Sequence, residues 1–164
     1  MSQRCFIALG ANLGNPVVTV NAAIIALRGL AHTEFVTASS LYRTAPVGLK
    51  NQPDFINAVV ELVAVSSAPT LLESLFPIEA RFGRQRSVRN APRTLDLDLL
   101  LYGDAVSDDP QLTLPHPRLH ERAFVLAPLA EIAPQLAISG RGTVAELLLR
   151  CRDQQIERIL PQPA

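Results

Sequence analysis

One segment decides the fold: Thr94-Leu-Asp-Leu-Asp-Leu-Leu-Leu-Tyr102. A proline two residues before it and a glycine directly after it mark the limits of a strand. Side chains alternate across a strand, so Asp96, Asp98 and residue 100 should share one face. The leucines at 95, 97, 99 and 101 should face the other way, into the core. We therefore predict a central, nearly continuous apolar strand that carries two acids on one side.

The sequence before this segment predicts three strands and two helices. Asn15 with Pro16 opens the first helix, and Ser67 with a proline two residues later opens the second. The first helix should end near Gly29 and the second near Gly83. The strands are expected at residues 4–10, 35–44 and 55–65, with a long loop at residues 45–53.

The resulting order, β-α-β-β-α-β, is that of the ferredoxin-like fold in the α+β class. It predicts an antiparallel sheet with both helices packed on one face. Residues 118–131 and 143–150 should form C-terminal helices, and residues 155–160 should add an edge strand. Because 164 residues with 48% hydrophobic content can build one sizeable core, we predict a single domain over residues 1–164.

Composition argues against several function classes. Lys plus Arg and Asp plus Glu both number 15, so no net charge attracts the chain to nucleic acid or to an anionic membrane. No apolar run approaches a membrane span or a signal segment, and Cys5 and Cys151 lack metal-ligand spacing. We expect a cytoplasmic protein with two free thiols and no obligatory protein partner.

The acids at 96 and 98 are the candidate metal ligands. Two carboxylates roughly 7 Å apart on an apolar strand repel each other and lose hydration, so they need a cation. Mg²⁺ prefers one or two carboxylates together with phosphate oxygens and water. Solvated edge charges are the alternative explanation for such a pair, and the flanking leucines argue against it.

Arginine is the dominant cation, since Lys50 is the only lysine among the 15 basic residues. Five arginines lie within thirteen residues, in a segment suited to folding over polyphosphate. A solvated charge run is the alternative. The chain has no G-x-x-x-x-G-K-[ST] loop, so phosphate binding would have to rely on arginine and metal. The five are Arg81, Arg84, Arg86, Arg89 and Arg93.

Two further groups of residues favour a binding site. His116, His120 and Arg122 lie close together in sequence, and a neutral imidazole or a guanidinium can donate to phosphate. His120 also fits a surface histidine, and the scattered histidines do not fit zinc. Phe55 and Asn57 share a strand face, where a ring and an amide can bind a flat heterocycle. A core phenylalanine and a turn-capping asparagine are the alternative.

Four sequence blocks follow one another along residues 5–135. They are Ile7-Ala-Leu-Gly-Ala-Asn-Leu-Gly14; Ser40-Leu-Tyr-Arg-Thr-Ala-Pro-Val-Gly48 with Gln52-Pro-Asp-Phe-Ile-Asn57; Pro92-Arg-Thr-Leu-Asp-Leu-Asp98; and Leu114-Pro-His-Pro-Arg-Leu-His-Glu-Arg-Ala-Phe124. Together they resemble the 6-hydroxymethyl-7,8-dihydropterin pyrophosphokinase family of folate biosynthesis. The resemblance implies a ferredoxin-like fold and Mg-dependent transfer of pyrophosphate from ATP to the pterin hydroxymethyl group, with AMP as the second product.

The resemblance also implies roles for individual residues. Asp96 and Asp98 match acids that hold two Mg²⁺ ions, and Arg84 and Arg93 match catalytic arginines. Glu79, Arg86, Leu99, Thr113, His116 and Arg122 match ATP-binding positions. Gly10, Thr44, Val47, Phe55, Asn57 and Phe124 match the pterin pocket, with the pterin stacked between the two phenylalanines.

Two other function classes remain open from the residues alone. A ferredoxin-like module that senses a small ligand without turnover would not require two acids on a buried strand. A nucleic-acid binder on the same fold is disfavoured by the neutral net charge and the 5% aromatic content, and the chain lacks an aromatic RNA-recognition strand.

Overall fold

A computed structural model describes residues 2–46, 51–82 and 94–159 of the chain. The main sheet contains β1 (Gln3–Ala11), β2 (Thr33–Ala38), β3 (Leu41–Thr44), β4 (Phe55–Ala64), β5 (Asp96–Tyr102) and β10 (Glu157–Ile159). The helices are α1 (Pro16–Arg28), α2 (Ala68–Arg81), α3 (Ala123–Ile132) and α4 (Val144–Leu149), with a 3-10 turn at Leu119–Glu121. Two small hairpins pair β6 (Ser107–Asp109) with β7 (Leu112–Leu114) and β8 (Ala137–Ile138) with β9 (Gly142–Thr143).

The main sheet confirms the ferredoxin-like prediction. Its strands follow the order β10-β3-β4-β1-β5, β2 also pairs with β4, and all pairs are antiparallel. The edge strand predicted near the C-terminus is β10. Within the described residues β5 is the last strand at the other side, so the prediction of a central strand is wrong. Among the strands that the structure describes, β5 pairs with β1 alone, and β1 lies between β5 and β4.

Helices cover both faces of the sheet. α1 and α2 pack on one face, as predicted, and we call this the first face. Its core includes Leu27 of α1, Leu75 of α2 and Leu97 of β5. α3 and α4 cover the opposite, second face, where the core includes Phe6 of β1 and Leu126 of α3. Among the described residues, none of the helices combines the length and apolar character that a membrane span requires.

A bulge in β5 changes the expected alternation of its leucines. Phe6 of β1 pairs with Leu101 and Ile7 pairs with Leu99, so Leu100 is an extra residue on β5. Leu100 and Leu101 both pack into the second-face core. The prediction that Leu101 faces the same way as Leu99 is therefore wrong, because one inserted residue reverses the faces of the side chains that follow it. The two acids precede the bulge.

The strand predicted at residues 35–44 is interrupted at Ser39 and Ser40, and β2 and β3 each pair with β4. Ser39 Oγ accepts the Val59 N–H (2.9 Å) and donates to the Ser40 carbonyl (2.7 Å). The Ser40 N–H donates to the Glu131 carboxylate of α3, at 2.9 and 3.1 Å. Side chains thus satisfy the backbone groups where the strand pairing breaks.

The side-chain caps predicted at two helix starts are present. Asn15 Oδ1 accepts the N–H of the third residue after it (3.3 Å), and Ser67 Oγ does the same at α2 (3.3 Å). α4 begins with a reciprocal capping box between Thr143 and Glu146. These caps satisfy backbone donors that have no partner within their helix.

Two leucine truncations in the α3–α4 layer should have very different effects. Leu126 is 0% exposed, whereas Leu149 is 61% exposed. Leu126→Ala should lower the free energy of unfolding by about 2–5 kcal/mol because it leaves a cavity in the second-face core. Leu149→Ala should change it by less than about 0.5 kcal/mol. Urea denaturation followed by circular dichroism measures both values, and equal losses would contradict this packing.

Candidate active site

Both candidate metal ligands lie on the second face of β5. Asp96 and Asp98 are half-buried there, while Leu97 between them points into the first-face core. The Leu97 N–H donates to Oε2 of Glu79 at 2.9 Å. Glu79 belongs to α2 and is only 4% exposed. The α2 helix therefore fixes the backbone between the two acids.

Strand pairing places one acid in the same row across the sheet as the Asn57 amide, with one residue between them. Gly10 of β1 pairs with Asp96 on one side and with Asn57 of β4 on the other, and Asn57 pairs with Tyr42 of β3. Paired residues point to the same face, so these four form one row across the sheet, which we call the Gly10 row. A Cβ added to Gly10 would lie only 3.2 Å from Asn57 Oδ1. The glycine thus leaves a gap between a carboxylate and an amide.

Hydrogen bonding orients the Asn57 amide toward this gap. Asn57 is 5% exposed, and its Nδ2 donates to Thr44 Oγ1 at 2.9 Å. Its Oδ1 consequently lies next to the space above Gly10. Phe55 pairs with Thr44 in the adjacent row and is only half-buried. Because Asn57 lies inside β4, the alternative in which it caps a turn is excluded.

His116 lies against the outer edge of β5, where its backbone N–H donates to the Leu100 carbonyl at 2.9 Å. Its Nδ1 accepts the Arg118 N–H at 3.2 Å, so the proton of the neutral ring is on Nε2. Burial, together with the positive charges of Arg122 and Arg118, lowers the pKa of His116 to about 4, although the negative charge of Asp96 opposes the shift. The ring is therefore neutral near pH 7, with Nε2–H as a donor.

Arg122 and Phe124 lie at the start of α3. Burial lowers the pKa of the Arg122 guanidinium, and the negative charges of Asp98 and Asp96 counteract this. The group remains a cation because its ordinary pKa is so high. Its guanidinium carbon is 5.4 Å from the centroid of the Phe124 ring. A cation that interacts with the two acids is thus in contact with an aromatic ring.

Gln154 holds the Arg122 segment from a distant part of the sequence. Its Oε1 accepts the Ala123 N–H (2.9 Å), and its Nε2 donates to the Glu121 carbonyl (2.8 Å). These two backbone groups flank Arg122. Sequence reasoning missed Gln154 because a single glutamine in a polar C-terminal segment carries no spacing signal.

A cleft of about 270 Å³ runs along the outer edge of β5. Four predicted residues line it, namely Asp98, Leu99, Thr113 and His116. Six residues outside the predicted set also line it: Leu72, Leu97, Pro110, Gln111, Leu112 and Pro117. The apolar members of this set follow the same periodicity as core residues, so only the fold could distinguish them.

The structure places the remaining predicted site residues as follows. Glu79 lies on α2, where its carboxylate accepts the Leu97 N–H of β5, and it is not among the residues that line the cleft. His120 lies in the 3-10 turn, 3.9 Å from the Glu121 carboxylate. The predicted residues Val47, Arg84, Arg86 and Arg93 lie outside the described residues.

Comparison with known proteins identifies the family. A family model described as 7,8-dihydro-6-hydroxymethylpterin-pyrophosphokinase (HPPK) matches residues 6–134. The chain belongs to this family. The resemblance seen in the sequence is thereby confirmed, and the protein is an enzyme of the diphosphotransferase class.

Two similar curated proteins carry the name 2-amino-4-hydroxy-6-hydroxymethyldihydropteridine pyrophosphokinase. The one from Pseudomonas aeruginosa is 43% identical over 97% of this chain and 98% of its own length. The one from Haemophilus influenzae is 41% identical over 95% of this chain and 98% of its own length. Matches of this extent decide against the two non-enzymatic function classes, the ligand sensor and the nucleic-acid binder, that the residues alone left open.

A solved structure supports the fold. The HPPK-DHPS protein of Plasmodium falciparum superposes with a TM-score of 0.73 over 92% of this chain, at 15% sequence identity. The match covers 43% of that protein, so this chain spans less than half of its length. At this identity the likeness bears on the fold alone.

Gly10→Ala should lower activity without unfolding the chain. The added Cβ would lie 3.2 Å from Asn57 Oδ1 and would fill the gap in the Gly10 row. We expect kcat/KM to fall by about tenfold or more, because small displacements of reacting groups are costly. Gly29→Ala is the matched control, since its φ is −95° and its nearest contact would be an ordinary 3.8 Å. Equal activities of the two variants would contradict the assignment of the gap above Gly10 to the active site.

The His116 ring should remain neutral, with its proton on Nε2, down to about pH 4. In the unfolded chain its pKa returns to about 6.5, so between these values the unfolded state binds more protons and stability falls as the pH is lowered. Ring ¹⁵N shifts, assigned by their loss in His116→Gln, measure both pKa and tautomer. A pKa near 6.5, or a proton on Nδ1, would refute this environment.

Proposed function

We propose that the enzyme transfers the pyrophosphoryl group of ATP to the hydroxymethyl group of 6-hydroxymethyl-7,8-dihydropterin and releases AMP, in a Mg²⁺-dependent reaction of folate biosynthesis. The Gly10 row is the single observation that carries this proposal. It holds Asp96 and the Asn57 amide on either side of a residue without a side chain. A phosphoryl-transfer centre and a heterocycle site are thus adjacent.

The donor set at β5 fits Mg²⁺. Asp96 and Asp98 offer hard carboxylate oxygens on one face of a rigid strand, and Mg²⁺ takes one or two carboxylates with phosphate oxygens and water. No group of three or more His, Cys, Asp or Glu suited to a metal occurs within the described residues. Because phosphate oxygens and water can supply the remaining ligands, we propose that these two acids hold two ions together with the ATP phosphates. When bound, the ions neutralise charge on the phosphate oxygens.

We propose that the nucleotide occupies the cleft beside β5. Leu99 contributes through its backbone as well as its side chain, because the N–H and C=O groups of alternate residues on an edge strand point away from the sheet. Thr113, also in the cleft wall, offers a hydroxyl whose proton is donated to the Asp109 carbonyl at 3.0 Å. That bond leaves the Thr113 oxygen as an acceptor.

We propose that the pterin lies over the Gly10 gap. Asn57 Oδ1 borders this gap and accepts from a ring N–H, while one N–H of its Nδ2 donates to Thr44. Phe55 and Phe124 provide two aromatic faces from β4 and α3, between which a flat ring can stack. Val47 belongs to this pocket as a sequence-based expectation.

The reaction needs no protein nucleophile. The pterin hydroxyl oxygen forms a bond to the β-phosphorus of ATP, the bond from that phosphorus to the α,β-bridging oxygen breaks, and AMP leaves with that oxygen. His116 Nε2–H and the Arg122 guanidinium donate to phosphate oxygens as negative charge shifts toward AMP. Asp96, directly across Gly10 from the pterin amide contact, is the candidate acceptor of the hydroxyl proton. Arg84 and Arg93 complete the proposal as catalytic residues.

We also propose that residues 1–164 act as one catalytic domain in the cytoplasm, with Arg86 and Glu79 contributing to the nucleotide site. The near-complete coverage of the two similar pyrophosphokinases supports a single unit. For Glu79, the hydrogen bond to Leu97 N–H supports an indirect contribution, through the backbone that carries both acids.

Asp96→Ala and Asp98→Ala should each lower turnover by about 10²–10³-fold or more, because the phosphates lose their metal ligands. Asp104→Ala, at an exposed turn, is the matched control and should retain normal activity. Chromatography of reactions with MgATP and the hydroxymethyl dihydropterin measures AMP, while melting temperatures check folding. Release of ADP instead of AMP would contradict pyrophosphoryl transfer, and normal turnover in either variant would refute the metal assignment.

A further inference from the structure

The Glu131 carboxylate of α3 is the centre of a hydrogen-bond network away from the proposed chemistry. It accepts the Ser40 N–H (2.9 and 3.1 Å), the Ser40 Oγ–H (2.9 Å) and the Tyr42 hydroxyl (2.7 Å). Arg158 of β10 donates to the same carboxylate at 3.3 Å and to Ser40 Oγ at 3.1 Å. One side chain thus joins α3 to two strands of the main sheet.

Helix geometry connects Glu131 with the proposed pterin pocket. Phe124 and Glu131 are seven residues apart on α3, so they lie on nearly the same face of the helix, about 10 Å apart along its axis. Fixing Glu131 against β3 therefore fixes the face of α3 from which Phe124 extends.

Tyr42 connects Glu131 with the Gly10 row. Tyr42 is 7% exposed and pairs with Asn57, and two residues later β3 ends at Thr44, which accepts the Asn57 amide. Burial raises the pKa of the Tyr42 hydroxyl, and its hydrogen bond to Glu131 raises it further. Partial burial would raise the pKa of Glu131, but the hydrogen bonds from Tyr42 and Ser40 and the charge of Arg158 lower it overall. The pair is thus a hydroxyl donor and a carboxylate acceptor at neutral pH.

We propose that Glu131 is a positioning residue for the pterin pocket: by binding Ser40 and Tyr42 it sets the distance between Phe124 on α3 and the Thr44–Asn57 pair. This inference rests on the proposed function, because it assumes that the pterin lies between these groups. It should act mainly on the pterin, because the segment that carries the phosphate-binding Arg122 is held separately by Gln154, through the Ala123 N–H and the Glu121 carbonyl. The nucleotide cleft is lined by α2, β5 and residues 110–117, and none of its lining residues belongs to α3 or β3.

Glu131→Gln keeps the size of the side chain but replaces one acceptor with a donor, so at least one of the Ser40, Tyr42 and Arg158 donors loses its partner. We expect the pterin KM to rise about tenfold, a change of about 1.4 kcal/mol. The KM for ATP and kcat should stay within about twofold of the wild-type values. Tyr42→Phe should also raise the pterin KM, but by a smaller factor. In the double variant the increase in pterin KM should be smaller than the product of the two single increases, because both substitutions break the same hydrogen bond.

Glu146→Gln is the matched control. Glu146 also accepts a backbone N–H, from Thr143 at 3.1 Å, but this bond belongs to the capping box that begins α4. The Glu146→Gln substitution should lower the melting temperature without changing the KM for ATP or the KM for the pterin. Steady-state kinetics with each substrate varied in turn, together with melting temperatures, separates positioning from general destabilisation. Tyr42→Phe keeps the experiment decisive should Glu131→Gln fail to fold, because it removes only a hydroxyl.

Unchanged pterin KM in Glu131→Gln or Tyr42→Phe, or equal increases in both KM values, would overturn the positioning role. Wild-type enzyme that makes no AMP from ATP and the pterin would instead overturn the proposed function, so the two failures are distinguishable. A rise confined to the pterin KM, with Glu146→Gln unaffected, would establish the role.

Discussion

The antiparallel pairing of β1 between β4 and β5 is the constraint on which the rest of the site depends. This register aligns Asp96, Gly10 and Asn57 in one row, at strand spacings of about 4.8 Å. Any other residue at position 10 would place a side chain against the Asn57 oxygen. A shift of one residue in either pairing would move the acids or the amide to the opposite face. The proposed metal ligation and heterocycle binding therefore both depend on strand register.

The position of β5 at the side of the sheet is equally important. An edge strand exposes backbone N–H and C=O groups, and proteins normally cover them. Here the Glu79 carboxylate accepts one N–H, and the backbone N–H of His116 donates to the Leu100 carbonyl. The cleft lies along this same edge, so side chains from both faces of β5, Leu99 and Asp98, line it. A central strand would have a neighbour where this cleft lies.

Local signals in the sequence predicted the helices and strands, whereas features that depend on tertiary structure were not predicted. The caps at Asn15 and Ser67 and the run of leucines are encoded within a few residues, and the structure contains both helices and the strand. The bulge at Leu100 was not predictable, because alternation alone gives no sign of an inserted residue. The edge position of β5 was mispredicted because a strand covered on both faces has the same apolar sequence pattern at the centre and at the edge of a sheet.

The candidate site divides in the same way. Asp96, Asp98, Asn57 and His116 were proposed from residue chemistry and spacing, and the family resemblance added Gly10 and Phe124. Glu131 and Gln154 were missed, because each acts through backbone or hydroxyl groups more than thirty residues away in sequence. Such contacts depend on how α3 packs across the sheet, and no local pattern records them.

The most direct measurement of the central claim is a crystal structure with the hydroxymethyl dihydropterin, a non-hydrolysable ATP analogue and Mn²⁺, using anomalous scattering to locate the metal. The account predicts Mn²⁺ peaks at the carboxylates of Asp96 and Asp98. It also predicts a pterin ring over Gly10, in contact with Asn57, Phe55 and Phe124. Metal bound away from both acids, or a pterin located elsewhere, would contradict it.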